Sequence, residues 1–310
     1  MLINLRNALM AGKRLPYDAE VEYLESTGTQ WIDTGIIVDS SITSAQISLA
    51  PTNKSSGDNI LFGSRDSGYG IYCFAGSSAL RTRWGGPTYV DISYSLGDVI
   101  DVNIHNGSVT VTNRATGAYR SFAVGNVFKP YPLVIAGTAY GSSVQISTGV
   151  RLLRVKIGDV RDFIPVRKGT VGYLYDRVSG ELFGNAGTGD FVIGQDVVPM
   201  TWQDGLQYNN VGTPVESATS SIGLDYIPIT AGHSFTWRLG YGSSASADLI
   251  IYNANKERID YWVARDRTVT ISGAAAYMRI SALTSYKEQA TVYDETAQKY
   301  VFANGRIPAE

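Results

Sequence analysis

The stretch from Val99 to Asn113 limits the possible folds more than any other part of the chain. Ile100, Val102 and Ile104 alternate with Asp101, Asn103 and His105; Asn106-Gly107 follows, and Val109 and Val111 then alternate with polar partners. A period of two describes a strand with one buried face, and Asn-Gly accepts the positive φ angles of a type I′ turn. The stretch is therefore predicted to be a hairpin with a two-residue loop. Arg114-Ala115-Thr116-Gly117 turns the chain again toward Ala118 to Val124, which makes the hairpin a meander.

Short runs of this kind, separated by turn signals, recur from Val21 to the C-terminus. Strands are predicted at Gln46 to Leu49, Ile60 to Gly63, Gly70 to Phe74, Leu133 to Ala136, Leu152 to Ile157, Gly172 to Asp176 and Glu181 to Gly184. In Leu152 to Ile157, Leu153, Val155 and Ile157 should face one way and Arg154 and Lys156 the other, as in a sheet wetted on one side. The pattern lapses between Gln195 and Gly205 and then resumes. The second series comprises Tyr226 to Ile229, Phe235 to Leu239, Leu249 to Tyr252, Ile259 to Val263, Val269 to Ile271 and Tyr277 to Ser281. Asn253-Ala254-Asn255-Lys256 turns between its third and fourth strands. Many antiparallel strands with one buried face imply sandwiches or jelly rolls, and 310 residues suffice for two of them.

Charge and cysteine content narrow the functional classes. The 26 Lys and Arg against 28 Asp and Glu leave a net charge of -2, without the basic tract that tracks a phosphate backbone, so nucleic acid is not an expected partner. No apolar run reaches the roughly 20 residues of a membrane helix, so no membrane partner is expected either. Cys73 is the single cysteine, which excludes an intramolecular disulfide, and its neighbours Tyr72 and Phe74 suggest burial. From Met1 to Arg14, Leu2, Leu5, Leu9 and Met10 recur at helical spacing. This is read as a short amphipathic N-terminal helix, an assembly or anchor arm over residues 1–18, and not as a signal peptide, since a continuous apolar region and a small-residue cleavage site are missing.

Two segments carry a family resemblance. Val21-Glu22-Tyr23-Leu24-Glu25-Ser26-Thr27-Gly28-Thr29-Gln30-Trp31-Ile32-Asp33-Thr34-Gly35 resembles the opening strands of concanavalin A-like (laminin-G-like) domains frequent in phages and bacteria of the anaerobic gut. Gly172-Tyr173-Leu174-Tyr175-Asp176-Arg177-Val178-Ser179-Gly180-Glu181-Leu182-Phe183-Gly184-Asn185, with Gly187-Thr188-Gly189, is similar to their closing strands. The leader through Lys13 to Glu20 is similar to that of the same phage proteins. The resemblance implies an all-β concanavalin A-like jelly-roll sandwich over residues 19–198. A smaller C-terminal sandwich over 205–310 looks like the jelly-roll modules of phage fibres and carbohydrate-binding proteins, through Tyr226 to Gly232, Leu249 to Tyr252 and Tyr277 to Ser281.

Chemistry-bearing residues are few. Glu20, Glu22 and Glu25 echo the acidic strand of laminarinase-like hydrolases, where a retaining mechanism needs two carboxyl groups about 5–5.5 Å apart, but a solvated strand face alternating with Val21 and Tyr23 is the expectation. His105 and His233 are expected at the surface, in turns, in different domains, which leaves neither a catalytic triad nor a His/Cys zinc site. Gly184 to Gly189 lacks the Lys-Ser/Thr of a phosphate loop. Calcium has weak candidate ligands in Asp33, Asp39, Asp58 and Asp66, and no other cofactor is expected. Sugars bind aromatic faces rimmed by polar groups. The candidates are Tyr69, Tyr72, Trp84 and Tyr89 with Arg81, Arg83 and Asp66, Trp84 being placed at a loop by Gly85-Gly86-Pro87. In the second domain Phe235, Trp237 and Leu239 should be core, and Trp262, opposite Ile259, Tyr261 and Val263, is a candidate exposed platform.

The resulting expectation is a non-enzymatic virion surface protein: a head fibre, decoration or tail-fibre-like component on the phage particle, made in the host cytoplasm. Its expected partners are other virion proteins, further copies of itself, for which three bundled arms are an attractive arrangement, and carbohydrate on host or mucus. The alternatives are a glycoside hydrolase or depolymerase using the three glutamates, and a bacterial surface lectin.

Overall fold

A computed structural model describes residues 15–53, 60–66, 69–76, 79–141, 143–146, 149–239, 247–263, 267–271, 273–287, 290–297, 299–303 and 306–308. Leu2, Leu5, Leu9 and Met10 of the expected arm lie outside them, as does Asp58. The chain forms two compact units, divided between Gln195 and Asp196. All the secondary structure among the described residues is β-strand, apart from turns and bends.

The first unit is a β-sandwich. One sheet runs, neighbour to neighbour, through Tyr119–Ala123, Ser108–Asn113, Ile100–His105, Ala45–Pro51, Val150–Ile157, Arg161–Lys168, Val171–Asp176 and Leu182–Phe183. The opening strands Ala19–Val21 and Leu24–Ser26 join it beside Arg161–Lys168 and Val150–Ile157 respectively. The other sheet runs through Ile32–Ile37, Pro132–Ile135, Ile60–Asp66, Tyr69–Ala75, Ala79–Trp84 and Tyr89–Ser93. Ile47, Leu49, Val102, Val111 and Val155 from the first sheet meet Phe62, Ile71, Leu80, Ile92 and Ile135 from the second in one buried cluster.

The predicted hairpin is present, with Asn106 at φ 49° and Gly107 at φ 74° between His105 and Ser108, which pair across the turn. The Val150–Ile157 strand departs from the expected facing. Its pairing with Ala45–Pro51 slips between Leu152 and Arg154, so Leu153 is an extra residue, and the core side chains are Val150, Leu152, Val155 and Ile157. A bulge of this kind resets the alternation without leaving a turn residue in the sequence.

The two family-like segments meet in space and clasp the sandwich shut. The Thr29 hydroxyl donates to Thr188 O at 2.8 Å, and Gln30 Nε2 donates to Asp190 O at 3.0 Å. Trp31 N–H donates to Asn185 Oδ1 at 3.0 Å, and Asn185 Nδ2 donates to Gly189 O at 2.7 Å. Gly187 passes so near Thr29 that a Cβ placed there would lie 2.0 Å from its carbonyl oxygen, so only glycine fits without displacement.

The second unit is also a sandwich. One sheet holds Ile227–Pro228, Ala275–Leu283, Pro214–Gly223, Trp202–Tyr208, Ala247–Asn253 and Arg258–Val263. The facing strands are Arg267–Thr270, Ser234–Arg238, Thr291–Asp294, Lys299–Ala303, Arg306–Pro308 and Asp196–Pro199. Asp196–Pro199 is where the sequence pattern lapses, yet it pairs with the C-terminal Arg306–Pro308 and so belongs to this unit. Phe235, Trp237 and Leu239 are core, as their spacing requires.

Candidate functional site

The strands Ala79–Trp84 and Tyr89–Ser93 form the end of the first unit's second sheet, and their alternation fixes which residues look outward. Leu80, Thr82 and Trp84 are buried, so Arg81 and Arg83 project to the other face. On the neighbouring strand Ile92 is buried, and Tyr89, Asp91 and Ser93 are exposed. The register sets Arg81 opposite Asp91 and Arg83 opposite Tyr89. Arg81 holds Asp91 with two parallel bonds, Nε to Oδ1 and Nη2 to Oδ2, each 2.8 Å. Its guanidinium carbon also lies 3.8 Å from the centre of the Tyr89 ring, and that of Arg83 lies at 5.0 Å. Tyr89, 43% exposed, thus lies against two cations with a carboxylate at the rim. An arginine whose fork is committed to a carboxylate loses little further freedom when a ligand arrives, which favours a pre-formed polar-aromatic surface. Tyr72 occupies the register position opposite Arg83 on the next strand; the side chains of Tyr72 and Tyr69 lie outside the described residues.

Two predicted platforms are corrected. Trp84 is fully buried in the first core, and its loop is bound down: Gly125 N–H donates to Trp84 O at 2.9 Å and Val127 N–H to Gly85 O at 2.6 Å. The turn signal Gly85-Gly86-Pro87 marked the strand end correctly, but the phase of Ala79–Trp84 aims the ring inward. Trp262 pairs in register with the buried Leu249 and packs against the second core, while Ile259 and Tyr261 are exposed at 41% and 36%. The larger ring takes the inward face of this edge strand, reversing the expected assignment.

The acidic run is also not a free strand face. The opening strand breaks between Val21 and Leu24, which are both core residues, and Glu20 is buried. Glu25 Oε2 accepts from Arg151 Nε at 2.8 Å, and the Arg151 guanidinium stacks 4.4 Å from the Tyr23 ring. Burial raises the Tyr23 hydroxyl above its ordinary pKa, against the opposing pull of Arg151. Glu25 is therefore held in a structural ion pair.

His105 is exposed beside its turn, as expected. His233, by contrast, is paired, its Nδ1 lying 2.8 Å from Oδ2 of the buried Asp294, whose Oδ1 accepts the Thr296 and Ala297 N–H groups. Asp33 accepts from Gly35 N–H, Asp39 from Ser41 N–H and hydroxyl, and Asp66 lies 3.4 Å from Lys129. Among the described residues no three His, Cys, Asp or Glu gather where a metal ion could sit.

Fold and site define a two-unit all-β protein with a rigid arginine-tyrosine face on its first sandwich. No family model matches the chain, and no curated protein matches it. Two solved structures align with 95% of this chain and 93% of theirs at 10% identity. They are the receptor binding domain of botulinum neurotoxin C/D mosaic serotype, with a TM-score of 0.26, and a point mutant of HCR/D, with a TM-score of 0.27. Likeness at these scores defines no shared fold.

Proposed function

We propose that the chain is a non-enzymatic surface protein of a phage particle, a head fibre, decoration or tail-fibre-like component, which binds carbohydrate through the outer face of its first sandwich. In this reading the first unit is a concanavalin A-like jelly roll, in keeping with the resemblance of its opening and closing motifs, and the second a carbohydrate-binding-module-like sandwich. The observation that carries the binding role is the exposed Tyr89 beside Arg81 and Arg83 and rimmed by Asp91. The exposed part of the ring offers apolar contact to the C–H surface of a sugar, while the neighbouring guanidinium and carboxylate groups supply directional hydrogen bonds to hydroxyls. Of the three glutamates of the hydrolase alternative, Glu25 is engaged by Arg151, Glu20 is buried and Glu22 is half-buried.

An array of immobilised host and mucin glycans, probed with the intact chain and with Tyr89→Ala, tests the binding role. Selective binding that Tyr89→Ala abolishes supports it; equal binding by both proteins, or none by either, contradicts it. Assembly is tested by solution mass from light scattering, with and without residues 1–14. The reading expects a defined oligomer that weakens on truncation, and a monomer in both forms would remove the bundling role of Leu2, Leu5, Leu9 and Met10.

A further inference from the structure

The outward face of the second unit's six-stranded sheet carries a second aromatic cluster, built around one guanidinium. Tyr208 and Tyr252 are buried there, with Tyr226 and Tyr277 half-buried beside them. The Tyr226 ring centre lies 5.0 Å from that of Tyr252 and 5.8 Å from that of Tyr277, both edge to face. The register sets Tyr252 opposite Tyr277 and Ile250 opposite Arg279, which brings Arg279 among the phenols. Its guanidinium carbon lies 5.0 Å from the Tyr208 ring and 5.2 Å from the Tyr226 ring. Its buried Nε has no hydrogen-bond partner.

Among the described residues no carboxylate forms an ion pair with Arg279. Ring faces partly compensate the desolvation of this half-buried cation, and the acid felt by the cluster, Asp225, acts on Tyr208 without pairing Arg279. A second cation stands over the same rings, Lys256 Nζ lying 4.8 Å from Tyr226 and 5.6 Å from Tyr277. Lys256 is exposed on a turn, at φ 61°. The face thus offers two cations, neither ion-paired among the described residues, beside aromatic surface.

We infer that this face is a binding site for a carboxylated sugar, a uronate or sialate unit. Its carboxylate accepts from Arg279 and Lys256, and its C–H face lies on Tyr226 and Tyr277. The planar guanidinium fork suits a carboxylate, and the phenol edges suit ring hydroxyls. The site goes beyond the Tyr89 platform and stands on the second unit's residues alone.

Calorimetric titration of the intact chain with sialyllactose, trigalacturonate and neutral lactose tests it, alongside Arg279→Gln, Lys256→Gln and Tyr89→Ala. Binding of at least one acidic sugar, at least tenfold tighter than lactose and lost by tenfold or more in Arg279→Gln or Lys256→Gln but not in Tyr89→Ala, supports the site; which acidic ligand binds separates uronate from sialate. Lys256→Gln alters an exposed turn residue and keeps the test informative if Arg279→Gln misfolds. The proposal is overturned if neither acidic sugar binds, if lactose binds equally, or if Lys256→Gln and a folded Arg279→Gln retain full affinity. Loss of acidic-sugar binding in Tyr89→Ala alone would assign that ligand to the first unit.

Discussion

Replacing Asn185 should loosen the whole first unit and not only its own loop. Asn185 Oδ1 accepts from Trp31 N–H at 3.0 Å and Gly187 N–H at 2.8 Å, and its Nδ2 donates to Gly189 O at 2.7 Å. At about 1 kcal/mol net per hydrogen bond the loss would be ~3 kcal/mol, and water re-entering this half-buried site recovers part of it, leaving about 2 kcal/mol. Cys73 supplies a reporter confined to the first core: it is the chain's single cysteine and fully buried, and burial pushes its thiol pKa up to about 12. The folded unit should not react with a thiol reagent near pH 8, so labelling proceeds through unfolding and tracks its equilibrium when reclosing is fast. A loss of about 2 kcal/mol in Asn185→Ala should then raise the labelling rate ~30-fold. Gly187→Ala, which drives a Cβ against Thr29 O, should carry an overpacking cost of about 1–3 kcal/mol and label roughly 5- to 160-fold faster than wild type. A rate within twofold of wild type in both variants would refute the clasp as the closure of the sandwich.

Other consequences can be checked by denaturant or thermal unfolding. Gly107→Ala puts a Cβ on a residue at φ 74° and should cost about 1–2 kcal/mol, read as a lower urea midpoint at unchanged slope. Trp84→Ala empties a fully buried site and should cost about 3–5 kcal/mol, while Tyr89→Ala, on the outer face opposite the neighbouring Arg83, should change stability by less than about 1 kcal/mol; equal losses would contradict the facing of these strands. Hydrogen bonds from Lys287 Nζ at 2.6 Å and from the Ser221 hydroxyl hold the Asp204 pKa below its ordinary value. A depressed carboxylate pKa stabilises the fold above the unfolded-state pKa, and that stability is lost as pH falls through the folded value. Lys287→Met should therefore show a small deficit at pH 7, below about 1 kcal/mol for so exposed a pair, that vanishes on the acid side; a deficit independent of pH would contradict this linkage.

The sequence announced the strands whose alternation is clean and whose turns carry their own chemistry. Asn106-Gly107 and Asn253 to Lys256 are such turns; Asn253 Oδ1 accepts from the Asn255 and Glu257 N–H groups, tying the second one. Ala79–Trp84 and Tyr89–Ser93 went unread because Arg81, Arg83, Tyr89 and Asp91 make their outward face look like loop, so the direction of Trp84 had no phase to be read from. Bulges hid the facing of Leu153 and of Trp262, since an inserted residue moves every later side chain to the other face. Of the candidate site, the local group Arg81, Arg83 and Tyr89 was legible, while the partner role of Asp91 depends on register. The cluster of Tyr208, Tyr226, Tyr252, Tyr277 and Arg279 was not legible, because it gathers residues from separate strands and loops that only the pairing of Ala247–Asn253 with Ala275–Leu283 brings together.

The account stands most directly on carbohydrate recognition by the Tyr89 face. The decisive measurement is a titration of wild type and Tyr89→Ala with the glycan selected on the array, with Cys73 labelling run in parallel to certify the fold. The account predicts an affinity at least tenfold lower in Tyr89→Ala with labelling unchanged, and equal affinity in the two proteins would contradict it.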